Sequence, residues 1–154
     1  MQKIIDLQKG IYLLEIKAVK NFSINHKKFN KINFPLGFYY YVGSAQKNLS
    51  SRIKRHLSKT KKKKWHIDYI TSHLNNRIVK IIILNNADKK FENLLAQKLT
   101  EMNLTIPAFG FGSTDDRKSK SHLFYSQKEI DYNHFSALYH SIVCLSPVSI
   151  LIEG

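Results

Sequence analysis

The chain has 154 residues, 43% of them hydrophobic, and its 25 Lys and Arg against 11 Asp and Glu give a formal charge of +14. That length suits one domain with a core of its own, the apolar share excludes a disordered chain, and the charge favours a polyanionic partner such as nucleic acid, with an anionic membrane or simple solubility as the alternatives. The single cysteine, Cys144, excludes an intrachain disulfide and fits a reducing, cytoplasmic setting.

Residues 1–6 lack the long apolar segment of a signal peptide, and residues 11–18 read as a first strand. Residues 19–37 are polar and basic, with Asn30-Lys31 as a turn candidate, and predict an irregular hairpin. Tyr39-Tyr40-Tyr41-Val42 is aromatic and β-branched and ends on Gly43-Ser44, which predicts a strand running into a turn. Residues 46–59 follow, with Leu49, Ile53 and Leu57 at every fourth position, the mark of a helix with one buried stripe. Arg52, Arg55, His56 and Lys59 fall together on a neighbouring face, at the edge of the core, where phosphate would suit them. Lys61, Lys62, Lys63 and Lys64 continue the charge; either a solvated loop or an arm that binds a nucleic-acid backbone is expected.

Residues 65–74, with Trp65, Tyr69 and His73 four apart, predict a second helix. On it His66 and Asp68 are two apart and would not face each other, so His66 is expected in the core or against phosphate. Residues 77–84, ending Ile81-Ile82-Ile83-Leu84, read as a central strand covered on both faces. Asp88 can cap the next helix, whose stripe is Phe91, Leu94, Leu95, Leu99 and Met102. Glu92 borders that stripe and should be half-buried. Residues 107–120 form a loop whose Gly110 and Gly112 lack the setting of a dinucleotide cradle. Residues 122–125 predict a short closing strand, and residues 129–142 a terminal helix. The apolar stretch 135–152 is broken by Tyr139, His140, serines and Pro147. It is too polar for a membrane span and is expected to pack on the domain or to serve a homo-oligomer or protein-partner interface.

Gly10-Ile11-Tyr12, Tyr41-Val42-Gly43, Arg52 and an acid on a later helix resemble the GIY-YIG nuclease superfamily, with Val42 where the second motif usually has Ile. Trp65-His66-Ile67-Asp68-Tyr69, Pro107 to Gly112 and Ser121 to Tyr125 resemble one mostly archaeal branch of it, the domain of unknown function 123, so that the likeness runs from about residue 8 to 126. Typical members of that branch carry a cysteine pair in the 107–120 loop; here Asp116 and Lys118 or Ser119 stand near those places, and any thiol role is gone. The resemblance implies that Tyr12, Tyr41, Arg52 and Glu92 are active-site residues and that Glu92 binds a single Mg²⁺ or Mn²⁺. Arg55 and His56 would orient phosphate or assist proton transfer.

The chemistry of these groups fits phosphodiester hydrolysis. Glu92 could hold a hydrated Mg²⁺, Arg52 matches two phosphate oxygens, and Tyr12 or Tyr41 could take the proton of the attacking water. A phenol titrates near ~10, so either tyrosine must be made more acidic by the neighbouring cations. The expectation is therefore an α/β (α+β), GIY-YIG-like domain over residues 1–126. Its small three-stranded, mostly antiparallel sheet is flanked by helices, and residues 127–154 form a helical C-terminal extension. The expected function is a Mg²⁺-dependent endonuclease acting on DNA, with Arg55, Lys59, Lys61 to Lys64 and His66 along the backbone. The alternative is a nucleic-acid-binding module that does not cut.

Overall fold

The computed structural model describes residues 7–113 and 120–147. In chain order the elements are β1 (Gly10–Ala18), β2 (Gly37–Ala45), α1 (Leu49–Leu57), α2 (Asp68–Thr71), β3 (Asn76–Asn85), α3 (Lys90–Glu101), β4 (Leu123–Ser126) and β5 (Ile142–Leu145), with a 3-10 turn at Tyr132–Phe135 before β5. The strands form one sheet in the order β4-β2-β1-β3-β5, and every neighbouring pair is antiparallel.

The three expected strands are its centre, and the expectation of a three-stranded sheet is corrected to five. β4 adds to β2 through Leu123 opposite Tyr41, and β5 adds to β3 through Ile142 opposite Leu84. The terminal helix expected over residues 129–142 is also corrected. Asp131 caps only a single 3-10 turn, and the β-branched Ile142-Val143 run then pairs with the free edge of β3, whose backbone groups need partners. The second helix is shorter than expected, four residues in place of residues 65–74. The end of the apolar tail, residues 148–154, and the loop positions Asp116, Lys118 and Ser119 lie outside the described residues.

Successive strand residues face opposite sides, and the core accordingly has two halves. On one face Tyr12, Leu14, Ile16, Tyr39, Ile81 and Ile83 meet Leu49 and Ile53 of α1 with Ile67 and Ile70 around α2. On the other, Ile11, Leu13, Tyr40, Val42, Ile82 and Leu84 meet Leu95, Ala96 and Leu99 of α3 and Phe135 of the 3-10 turn. This double cover explains why Ile81 to Leu84 are all buried. Among the described residues no helix is long and apolar enough to cross a membrane.

One polar group is sealed into the second face. Glu15 of β1 is 1% exposed and accepts from Tyr40 Oη at 2.9 Å and from Tyr132 Oη. Tyr40 Oη in turn accepts from the Ile130 N–H, so the segment leading to β5 is tied to the sheet through one carboxylate. Burial, with Glu129 adding to it, pushes the Glu15 carboxyl up to about 7.

Candidate active site and the basic face

Tyr12 stands on β1 opposite Gly43 of β2 and Ile83 of β3. Its phenol ring lies directly over Gly43, where a Cβ would run into the ring carbons and Oη. The glycine of the second motif is thus the floor on which the tyrosine of the first motif rests. On α1, His56 is 1% exposed, and its Nε2 is 2.7 Å from Tyr12 Oη. Tyr41, two residues before Gly43, is half-buried with its ring 6.2 Å from that imidazole. The Tyr41 ring also lies against Gly112, whose φ of +70° suits glycine.

Arg52 sits one turn before His56, its Nη1 donating to the Ser44 carbonyl at 2.8 Å. Its guanidinium lies 4.7 Å from the Trp65 ring, which Arg55 also covers at 4.4 Å and Lys64 at 5.3 Å. Glu92, in the first turn of α3, is half-buried, as its place beside the apolar stripe leads one to expect. The charge of Glu92 reaches both phenols, and so does that of Arg52. Tyr12, Tyr41, Arg52, His56 and Glu92 therefore share one electrostatic neighbourhood. Among the described residues no group of three or more His, Cys, Asp or Glu side chains gathers to hold a metal ion.

The titration of the phenols runs against expectation. Cations were to make one of them more acidic; instead burial pushes both well above 10, with Tyr41 and Glu92 adding for Tyr12 and Glu92 and Asp68 adding for Tyr41. Arg52 opposes this but does not reverse it, because desolvation of a buried phenolate outweighs one partly hydrated cation. Burial also pushes His56 down to about 3, helped by the charge of Lys61, so the imidazole is neutral. Its Nδ1 is buried and has no partner among the described residues.

The basic stripe divides into anchored and open cations. Arg55 binds Asp68 through two bonds of 2.8 Å and the Lys62 carbonyl at 3.0 Å. Lys59 Nζ donates to the carbonyls of Thr71, His73 and Asn76, and Lys61 Nζ donates to the His56 carbonyl and Thr71 Oγ1. These three hold the junction of α1, α2 and β3 together through hydrogen bonds within the chain. Lys62, Lys63 and Lys64 are exposed. His66 is half-buried and accepts the Gly112 N–H at Nδ1, 3.0 Å away.

Asp68 escaped the sequence reading, which weighed it only against His66. It is fully buried and accepts from Arg55 and from the backbone N–H groups of Lys64 and Trp65. The carboxylate ties down the backbone that leads into α2, and no motif in the sequence signalled it.

The fold and its site define a small α+β domain with an antiparallel sheet and a buried phenol, imidazole and guanidinium cluster on one face. The profile of the family described as Domain of unknown function DUF123 matches residues 11–144, and the chain belongs to that family. Neither the curated proteins nor the solved structures contain a match.

Proposed function

We propose that this protein is a metal-dependent endonuclease that hydrolyses phosphodiester bonds of DNA, with Tyr12, Tyr41, Arg52, His56 and Glu92 as its working groups. The reading joins the resemblance to GIY-YIG nucleases to one observation, the 2.7 Å contact between Tyr12 Oη and the neutral His56 Nε2 within reach of Arg52. A free phenolate is costly here, and a relay avoids it. Tyr12 can take a proton from the attacking water while passing its own to His56 Nε2, which leaves hydroxide to bond to phosphorus and an imidazolium whose positive charge must be offset by the negative charge growing on the phosphoryl oxygens. Arg52 then meets the charge that grows on the phosphoryl oxygens, where a fixed donor is most effective. One half-buried carboxylate suits Mg²⁺ or Mn²⁺, which binds through one or two protein oxygens and keeps its waters. Glu92 would hold it, and the ion would supply Lewis acidity toward the phosphate.

The test is to incubate the protein with duplex, flap and junction DNA, with and without Mg²⁺, beside Glu92→Ala. Metal-dependent nicking by the wild type alone is expected, and equal nicking by both proteins would remove Glu92 from the mechanism. One observation favours the second reading, a nucleic-acid-binding module that does not cut: both phenols stay protonated and His56 uncharged, so the resting site holds donors but no strong base. Salt-sensitive binding with no product on any substrate would select it.

A further inference from the structure

Two histidines from distant segments meet beside the pocket. His26, in the β1–β2 connection, lies 5.0 Å from His66 and 5.0 Å from Tyr69, edge to face in each case. Each imidazole takes a backbone N–H at Nδ1: His26 from Lys28 at 3.1 Å, His66 from Gly112 at 3.0 Å. Occupied as an acceptor, Nδ1 carries no proton in the neutral ring, which leaves Nε2–H as the donor on both. Lys28 Nζ reaches the space over Gly110, and Lys63 Nζ lies 5.5 Å from the Tyr69 ring. Neither lysine forms an ion pair among the described residues, and the charges of His26 and Lys28 are felt at His66. Gly112 joins this cluster to the pocket, with its N–H on His66 and its α-carbon against the Tyr41 ring.

We propose that His26, Lys28, Lys63 and His66 form a second phosphate subsite, which grips the nucleic-acid backbone next to the scissile phosphate held by Arg52. The proposal rests on the endonuclease reading and adds the β1–β2 connection to the interface. Two fixed N–H donors and two mobile ammonium groups match the oxygens of a phosphodiester and carry no base preference. The subsite sets affinity and register and leaves the chemical step to the pocket.

The test is equilibrium binding of a fluorescein-labelled DNA duplex over a salt series in EDTA, followed by cleavage at saturating substrate with Mg²⁺. His26→Gln/Lys28→Gln should raise Kd about tenfold, the equivalent of roughly one charge-assisted hydrogen bond. The log–log salt slope should become shallower by about 0.9 for each phosphate that is no longer neutralised. kcat should stay within about twofold of wild type. Lys28→Gln/Lys63→Gln changes only exposed side chains and should act the same way, with far-UV circular dichroism confirming the fold. Lys98→Gln on α3 is the control. Unchanged Kd and slope in both double variants, with the wild type binding and cutting, would sink the subsite and leave the endonuclease reading standing. A fall in kcat with Kd unchanged would also overturn it. Failure of the wild type to bind any nucleic acid would bring down both.

Discussion

Replacing Asp68 by Asn tests how the segment carrying Trp65 is held against α1. The carboxylate accepts four hydrogen bonds: Oδ1 takes Arg55 Nη1, and Oδ2 takes Arg55 Nη2 and the N–H groups of Lys64 and Trp65, all at 2.8 to 2.9 Å. Asn keeps one acceptor oxygen. Placed at Oδ2 it keeps three bonds, of which the two from the backbone N–H groups become neutral while that from Arg55 remains charge-assisted, and its amide then points donors at Arg55 Nη1. A bond to a charged group contributes about 1.5–3 kcal/mol and a neutral one about 0.5–1.5, so the summed loss approaches 4 kcal/mol. The Arg55 side chain is 27% exposed and recovers some hydration, which brings the expected destabilisation to about 2–3 kcal/mol. At about 2–4 °C per kcal/mol for a domain of this size, Tm should fall by about 5–10 °C.

The pH dependence carries its own sign. Burial raises the Asp68 carboxyl, but Arg55 and the two backbone N–H groups more than reverse this, and it ends below its ordinary 3.8. Stability from a depressed carboxylate is present above the ordinary value and is lost as pH falls through the folded-state value. The gap between wild type and Asp68→Asn should therefore be constant near neutrality and close in strong acid. Trp65, the only tryptophan, should report the same event by a red-shifted emission as Arg55 leaves its ring. A Tm fall of less than about 2 °C with unshifted emission, or a gap that persists unchanged into strong acid, would refute the reasoning.

Arg52→Ala should lower kcat for DNA cleavage by about 10²–10³, the usual effect of removing one fixed transition-state donor; equal loss in Kd and none in kcat would make it a binding group only. Gly43→Ala should cost about 1–3 kcal/mol by overpacking the Tyr12 ring and should also slow cleavage, as the phenol moves off His56; unfolding midpoints and rates matching wild type would contradict the ring's placement. The raised Glu15 carboxyl stabilises the fold below the ordinary value of 4.5, and that contribution fades as pH rises through about 7. Glu15→Gln should accordingly lose less Tm than wild type between acid and alkaline buffer; parallel pH profiles would show that Glu15 ionises without penalty. Lys59→Met should lower Tm by leaving the Thr71, His73 and Asn76 carbonyls without their donor, whereas Lys62→Met should leave Tm unchanged and weaken DNA binding; the reverse pattern would exchange their assigned roles.

The central strands and the two flanking helices could be read from the chain because their signals are local: the aromatic and β-branched Tyr39 to Val42 run, the unbroken Ile81 to Leu84 run, and four-residue spacing through Leu49, Ile53 and Leu57. The candidate site was named from an ordered set of motifs, and the half-burial of Glu92 was legible from its place on a stripe. What escaped depended on partners far off in sequence. Nothing local to Ile142 to Leu145 announces that β3 has a free edge, and apolar residues spaced through 129–142 mimic a helix. Lys59 looks like a solvated cation until three carbonyls at the end of α2 and the start of β3 are seen to converge on it. The acidity of Tyr12 was misjudged because the cations nearby were countable in the sequence and the depth of burial was not.

The sheet order places β1, which precedes the other four strands in the chain, at the centre of the sheet, clasped between β2 and β3. During synthesis β1 can gain one neighbour early, when β2 emerges, but its other edge stays open until residues 76–85 have left the ribosome, and that newcomer's outer edge waits for Ile142 to Leu145. All residues from β1 to Leu145 must be threaded out before the β3–β5 ladder closes. Long-range pairing of this kind folds slowly, and a nascent chain stalled before residue 142 would present an unprotected, isoleucine-rich border to its neighbours.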